Sequence, residues 1–87
     1  MNDCIFCEII KDESTLVWQN ERIAAFADKF PDAPVHILVV PKRHIPSLSQ
    51  LDDFELGAEL LEASVKIANE HGIGEGFRLT TNNGASA

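Results

Sequence analysis

The 87-residue sequence has few cations. Lys and Arg together number 7, against 14 Asp and Glu, which leaves a formal net charge of −7. A groove that follows the phosphates of a polynucleotide needs a stripe of basic side chains. We therefore expect no DNA or RNA partner. A single phosphate group is not excluded by this balance, because one or two local cations and backbone donors can hold it.

Long hydrophobic runs are also lacking. No apolar stretch approaches the roughly 20 residues that a membrane-spanning helix needs. The first residues, Met1-Asn2-Asp3, do not have the basic and then apolar pattern of a secretory signal. Repeats, low-complexity tracts and linkers are absent from the sequence, and 45% of it is hydrophobic, as in an ordinary folded chain. We expect a single cytoplasmic domain over residues 1–87, with no membrane partner.

Cysteine is scarce, with Cys4 and Cys7 as the only two. A structural disulfide is not expected in a reducing compartment. Three interpretations of this Cys-x-x-Cys pair remain open. It is a redox pair, although such pairs usually follow a strand in a βαβ unit; or half of a zinc site, since two thiolates at this spacing can bind one tetrahedral ion; or two small, partly buried hydrophobic residues.

The strongest pattern that is present lies at residues 35–40, where five of six residues are aliphatic and mostly β-branched. This predicts a strand covered on both faces. Pro41 cannot donate a hydrogen bond to a sheet, so the strand should end there. The one polar residue of the run is His36, which needs either a hydrogen-bond partner in the core or a chemical task.

The other elements complete an α+β prediction. We expect a short turn or helix at 4–10, a hairpin of strands 15–18 and 22–27 joined by 19–21, a loop at 29–34, and a final strand at 76–82. One long helix is predicted at 51–70, with Ser49 and Asp52 as its capping pair and a stop at His71-Gly72. Its core-facing stripe is expected to be Leu51, Phe54, Ala58, Leu61, Val65 and Ala68, widened by Leu56, Leu60 and Ile67. The predicted fold is a mostly antiparallel sheet, formed by the hairpin, a central strand and a later strand, covered by this helix.

Residues 26–28 (Phe-Ala-Asp) and 31–44 (Pro-Asp-Ala-Pro-Val-His-Ile-Leu-Val-Val-Pro-Lys-Arg-His) resemble the first half of the histidine triad (HIT) superfamily. These proteins are nucleotide hydrolases and transferases. The resemblance implies a HIT-like fold, a homodimer, and a domain that is incomplete at its C-terminal end. The late His-x-His-x-His strand, which supplies the nucleophile in the family, does not occur within residues 1–87.

The resemblance also implies roles for individual residues. In the family, a histidine attacks the α-phosphate of a nucleotide held on the sheet, and water then hydrolyses the nucleotidyl-histidine intermediate. His36 corresponds to the supporting histidine, and Asp28 to the acid that accepts hydrogen bonds from the ribose. Ile23 and Phe26 correspond to the wall of the base pocket, and Asn82 to a polar residue near the phosphate. From the residues alone, Asp28 and Asn82 are also compatible with turns, and Phe26 with plain core.

A structural zinc ion is the cofactor that the resemblance implies. Cys4, Cys7 and His44 match three of the four ligands in members with an N-terminal Cys-x-x-Cys. The expected substrate is a purine nucleoside phosphoramidate or a dinucleotide. The alternatives are a module that binds purine nucleotides without turnover, or a zinc-stabilised fold without a nucleotide ligand.

Overall fold

A computed structural model describes residues 5–29, 34–81 and 83 of the chain. Contacts group the chain into two compact units, Met1–His44 and Ile45–Ala87. The helices and strands are α1 (Ile5–Ile9), β1 (Leu16–Gln19), β2 (Ile23–Ala27), β3 (Ile37–Pro41) and α2 (Phe54–Glu70), with short 3₁₀ helices at Glu13–Thr15 and Leu48–Gln50. The α+β class, the antiparallel sheet and the long helix are confirmed. The prediction of a single domain stays a prediction.

The first unit contains a three-stranded antiparallel sheet in the order β1-β2-β3. β1 and β2 form the predicted hairpin, each beginning one residue later than expected. Asn20 explains the tight connection, because its side-chain oxygen accepts hydrogen bonds from the backbone N–H groups of Arg22 at 2.9 Å and Ile23 at 2.8 Å. This is the local side-chain bonding that makes asparagine a good turn residue.

β2 and β3 pair in an unbroken register that runs from Ile23 opposite Pro41 to Ala27 opposite Ile37. The pairing continues one step further, where the Asp28 N–H donates to the His36 carbonyl at 3.0 Å. Because side chains alternate along a strand, Phe26, Asp28 and His36 lie on one face of the sheet. We call this face the Phe26 face.

The burial of the sheet differs from the prediction. We expected residues 35–40 to be covered on both faces, yet every residue of β3 is only partly buried. The most deeply buried strand is β2, in which the exposed fraction is 0% for Ile23, Ala24 and Ala25 and 3% for Phe26. The reason is position: β2 is the middle strand, flanked on both edges, whereas β3 has one hydrogen-bonded neighbour in the described part of this unit. Pro41 is the last residue of β3, as predicted.

A second difference concerns the start of α2. The helix begins at Phe54 rather than at 51, and its cap is Asp53, whose carboxylate accepts from the Leu56 N–H at 3.1 Å. Ser49, the predicted cap, lies instead in the 3₁₀ helix Leu48–Gln50. An Asp immediately before the helix satisfies an otherwise unpaired N–H of the first turn, so it takes over the role of the earlier Ser.

The buried face of α2 coincides with the predicted stripe only at Leu56, Ile67 and Ala68. The buried residues are Leu56, Ala63, Ser64, Ile67 and Ala68. The exposed fraction is 80% for Phe54, 57% for Leu61 and 51% for Val65, all three of which belong to the predicted core stripe. We call these three residues the α2 stripe. The helix is apolar around so much of its circumference that spacing alone does not identify its core side.

The predicted final strand is absent from the part of residues 76–82 that the structure describes. Residues 76–81 have no regular secondary structure, and the exposed fraction is 43% for Phe77 and 53% for Leu79. A β-strand depends on hydrogen bonds to a neighbouring strand, so a strand-like sequence without such a neighbour does not become one. Asn82 lies outside the described residues.

One turn in the first unit has a pH-dependent contact. The Asp12 carboxylate accepts hydrogen bonds from the Ser14 hydroxyl at 2.6 Å and the Ser14 N–H at 3.1 Å, and these two bonds lower the pKa of Asp12. A carboxyl group whose pKa is lowered by folding stabilises the fold at pH values above its ordinary pKa. This stabilisation is lost as the pH falls through the lowered pKa. Asp12 is fully exposed, so solvent screens the effect.

The end of α2 gives a stability prediction. Gly72 has a φ of +74°, and the N–H of Ile73 closes the turn by donating to the Ala68 carbonyl at 2.9 Å. Left-handed backbone costs an L-residue about 1–2 kcal/mol, so Gly72→Ala is expected to lower the free energy of unfolding by about 1 kcal/mol. Gly76→Ala is the matched control, because an added Cβ there meets nothing within 4 Å and its φ is not left-handed. Urea unfolding of both variants checks this; equal midpoints would contradict it.

Candidate nucleotide and metal sites

Asp28 and His36 form a cross-strand pair at the end of the β2–β3 ladder. The Asp28 Oδ2 atom lies 3.5 Å from the His36 Nε2 atom, and their side chains are 26% and 30% exposed. At this distance the contact is longer than a good hydrogen bond, and it becomes an ion pair when the imidazole is protonated. Both side chains are near enough to influence each other and open enough to meet a ligand. His36 is therefore not a fully buried core histidine.

An aromatic pair lies on the same face of the sheet. The ring centroids of Phe6 and Phe26 are 5.9 Å apart, with an angle of 45° between the ring planes. Phe26 itself is only 3% exposed, whereas Phe6 is 43% exposed. The aromatic surface available to a ligand therefore belongs mainly to α1, and Phe26 supports it from below. Phe6 was not among the predicted site residues; the signal for it was an aromatic ring in the apolar segment 4–10.

Ile23 does not join this group. Strand alternation puts it on the face opposite Phe26, and it is 0% exposed. Regular β2–β3 pairing leaves no bulge that would turn it round. The expectation that Ile23 and Phe26 form one wall of a base pocket is therefore not supported for Ile23, which is a core residue of the sheet.

Two of the three predicted metal ligands lie together. The Cys7 Sγ atom of α1 is 3.3 Å from the Nδ1 atom of His44, which follows β3 by three residues. In a tetrahedral zinc site, with Zn–S of about 2.3 Å and Zn–N of about 2.0–2.1 Å, these two ligand atoms lie about 3.5 Å apart. The pair therefore fits two corners of such a site. Cys4 lies outside the described residues, among which no group of three or more possible metal ligands occurs.

The third histidine of the chain has a different role. His71 follows α2, where its Nδ1 atom lies 2.9 Å from the Ile67 carbonyl oxygen and its backbone N–H donates to the same oxygen at 3.0 Å. These contacts account for His71 as a helix-end residue. Asn82, the predicted phosphate contact, is outside the described residues, but its neighbour Asn83 is described and accepts a hydrogen bond from the Ser49 N–H at 2.9 Å.

Comparisons with known proteins match this chain to one family, both in sequence and in structure. The family model for the HIT domain matches residues 11–87. An uncharacterised HIT-like protein of Synechocystis is 41% identical in an alignment of 87 positions, and this alignment covers 95% of this chain and 76% of the relative. A solved HIT family hydrolase of Clostridium thermocellum is 39% identical with a TM-score of 0.92, covering all of this chain and 80% of that one.

A second solved structure adds a ligand class to the comparison. A hypothetical histidine triad nucleotide-binding protein of Sulfolobus tokodaii is 36% identical with a TM-score of 0.81, covering 97% of this chain and 59% of that one. The sheet, the Asp28–His36 pair and the domain match define the class: this chain belongs to the HIT family.

No helix among the residues that the structure describes is long and apolar enough to cross a membrane.

Proposed function

We propose that this chain forms the nucleotide-binding part of a HIT-type hydrolase or nucleotidyl transferase that acts on purine nucleoside phosphoramidates or dinucleotides. The observation that carries the proposal is the combination, on the Phe26 face, of an accessible carboxylate–imidazole pair and an exposed aromatic ring. A nucleoside offers the complementary chemistry, since it has ribose hydroxyls to donate and a flat base to pack.

Each member of this group has a proposed task. The Asp28 carboxylate accepts hydrogen bonds from the ribose hydroxyls, which are charge-assisted and therefore strong. Phe6, backed by Phe26, packs against the base through its ring surface. Leu38 lies opposite Phe26 in the β2–β3 register and adds apolar surface to the same face. Asn82 is proposed, from the family resemblance, to contact the phosphate.

The proposed chemistry is nucleophilic catalysis. An imidazole nitrogen forms a bond to the α-phosphorus while the bond from phosphorus to the leaving group breaks, and water then cleaves the phosphorus–nitrogen bond. We assign His36 the supporting role, because Asp28 lies 3.5 Å from its ring and can hold it in one orientation. The attacking histidine is not among residues 1–87, since His44 lies against Cys7 and His71 ends α2.

This division of roles gives the experiment for the proposed function. We expect the 87-residue chain to bind AMP in a calorimetric titration and to release no product from an adenosine phosphoramidate. Turnover that persists through purification and disappears in His36→Ala would contradict the assignment of His36 as a supporting residue. Absence of AMP binding would contradict the nucleotide site itself.

The second candidate function is binding of purine nucleotides without turnover. The contacts of the three histidines favour it. His36 lies near Asp28, His44 lies against Cys7 and His71 lies against the Ile67 carbonyl, so none of them is placed as a free nucleophile. The net charge of −7 still argues against a polynucleotide ligand. A reducing, cytoplasmic location is part of both proposals, and the free thiol of Cys7 is compatible with it.

Zinc is the proposed cofactor, held by Cys4, Cys7 and His44. When bound, the ion would tie α1 to the residues after β3 and so stabilise the first unit. We expect purified protein to carry sub-stoichiometric zinc and to lose it as the pH falls, because the thiolates must be deprotonated to bind. Metal analysis and the thiolate bands of a cobalt-substituted sample measure this. His71→Ala is the control; zinc content unchanged by joint Cys4→Ser and Cys7→Ser substitution would contradict the site.

The proposed partner, besides the nucleotide, is a second copy of the chain. The α2 stripe presents three large apolar side chains, each more than half exposed, on one side of a 17-residue helix. Exposed apolar surface of this kind is typical of an interface. We therefore propose that α2 contributes to a homodimer.

A further inference from the structure

One polar contact of the first unit has no part in the proposed function so far. The Lys42 ammonium donates a hydrogen bond to the Gln19 side-chain oxygen at 2.8 Å, and the two residues are 23 positions apart in the sequence. The Gln19 side-chain nitrogen in turn donates to the Glu13 carboxylate at 3.2 Å. All three residues are exposed, so a ligand can reach their side chains. We call the contact between the first two the Gln19–Lys42 bridge.

The bridge lies on the Phe26 face of the sheet. Gln19 is opposite Ala24 in the β1–β2 register, and side-chain alternation along β2 puts Ala24 on the same face as Phe26. The backbone N–H of Lys42 donates to the Arg22 carbonyl at 2.8 Å, which extends the β2–β3 ladder by one step. Arg22 has the same parity as Ala24, so Lys42 belongs to this face as well. The bridge therefore crosses β2 on the side of the sheet that carries the candidate nucleotide site.

The groups on this face follow one another in the order in which a nucleoside presents its own. The Asp28–His36 pair is at one end, the ring of Phe6 against Phe26 is in the middle, and the bridge is at the other end. An antiparallel strand advances about 3.4 Å per residue, so positions 24 and 28 are separated by about 14 Å. In a purine nucleoside the ribose and the exocyclic group at C6 are attached to different rings of the base. With the ribose at Asp28 and the base against Phe6, the C6 edge is directed towards the bridge.

The bridge offers this edge mainly hydrogen-bond donors. An ammonium has three N–H donors and no acceptor, and among the described residues the bridge uses one of them, which leaves two at Lys42. The Gln19 oxygen is already paired with Lys42, and its amide nitrogen keeps one N–H besides the one that Glu13 accepts. Guanine and hypoxanthine have a carbonyl oxygen at C6, which accepts hydrogen bonds. Adenine has an amino group at C6, which places donor against donor.

We propose that the Gln19–Lys42 bridge recognises the exocyclic group of the purine, so that the site prefers nucleotides of guanine or hypoxanthine to those of adenine. The inference rests on the proposed function and narrows its substrate class. Lys42 donates a charge-assisted hydrogen bond to the carbonyl oxygen at C6, and Gln19 holds the ammonium in place for it. A donor held before the ligand arrives loses less conformational freedom on binding. Lysine recognises the same oxygen of guanine in DNA.

The test compares GMP, IMP and AMP by calorimetric titration. In the unmodified chain, GMP and IMP are expected to bind about three- to tenfold more tightly than AMP, as one charge-assisted hydrogen bond at an exposed position gives. Lys42→Met removes the donors, keeps an apolar stem and should bring the three affinities to the same value, whereas Lys42→Arg keeps cationic donors and should retain the preference. Lys11→Met is the matched control, because this lysine pairs with Glu8 at 3.2 Å; it should leave the ratios of the affinities unchanged.

The outcomes separate this inference from the proposed function. If the unmodified chain binds none of the three nucleotides, the proposed function fails and the base preference fails with it. If it binds them equally, or AMP most tightly, the proposed function stands and the role of the bridge is overturned. A parallel loss for all three in Lys42→Met, with unchanged ratios, also overturns it, because Lys42 would then act on the phosphate or on the fold. A preference for GMP over both IMP and AMP would identify the amino group at C2 as the recognised group, to which an ammonium cannot donate, and would overturn it too.

Discussion

Replacement of Asp28 by Ala is expected to reduce the affinity for AMP by tenfold or more, and to change the affinity for 2′,3′-dideoxy-AMP very little. The carboxylate is 26% exposed on the Phe26 face, so it is accessible to hydroxyl donors. A hydrogen bond to a charged acceptor contributes about 1.5–3 kcal/mol, and 1.4 kcal/mol corresponds to about a factor of ten. Calorimetric titration of both proteins with both ligands isolates the coupling between Asp28 and the ribose hydroxyls.

The control for this experiment removes the same charge elsewhere in the first unit. Glu21 is exposed in the turn between β1 and β2, so Glu21→Ala should leave both affinities unchanged. A uniform loss for AMP and dideoxy-AMP in Asp28→Ala would mean that Asp28 acts through the fold or through His36 rather than on the ribose. Phe6→Ala should instead weaken both ligands alike, because the aromatic ring contacts the base and not the sugar.

The sheet could be predicted from the sequence to a good approximation, because its signals are local. Asn20 sets the tight turn, and the aliphatic run ending at Pro41 sets β3. The degree of burial could not be predicted, because it depends on which strand is central. A run of β-branched residues predicts a strand but does not state its place in the sheet order, and here the less aliphatic β2 is the middle strand.

The second unit shows where local signals compete. Two patterns predict a helix start here. One is the capping pair of Ser49 and Asp52, and the other is Asp53 by itself. Asp53 forms the cap, because its carboxylate accepts a hydrogen bond from the Leu56 N–H. The apolar residues of α2 fit two overlapping stripes, one buried and one exposed, and their spacing is equally helical. The segment 76–81 has a strand composition, yet a strand is a property of a pair of segments rather than of one.

Some features of the candidate sites could be predicted from the sequence, and others could not. The cross-strand placement of Asp28 and His36 follows from the strand ends, and the 3.3 Å contact between Cys7 and His44 could be anticipated only through the family resemblance. Ile23 was assigned to the base pocket by that resemblance, although strand alternation already separates it from Phe26. Phe6 was missed because its importance depends on a ring contact between α1 and β2 that no spacing within the sequence reveals.

Two exposed features of the described residues predict that the chain associates with other copies of itself. Each unit leaves a feature that favours contact with another chain. β3 has hydrogen bonds to β2 alone in the described part of the sheet, and an open strand edge is a template for pairing. The α2 stripe exposes three large apolar side chains. The net charge of −7 opposes association through mutual repulsion, and salt screens that repulsion.

We therefore expect the 87-residue chain to be a dimer at micromolar concentration, with association that strengthens as salt is added. Burial of one leucine side chain contributes about 1.5–3 kcal/mol, and a two-fold interface contains it twice. Leu61→Glu should accordingly raise the dimer dissociation constant at least tenfold in sedimentation across a concentration series. Lys66→Ala changes the net charge by the same amount at an exposed position away from the α2 stripe and should have little effect.

A monomer at every concentration, unfolding sharply at ordinary mesophilic temperatures, would contradict the prediction. Association insensitive to Leu61→Glu would place the interface outside α2, for example at the edge of β3 that has no hydrogen-bonded neighbour among the described residues.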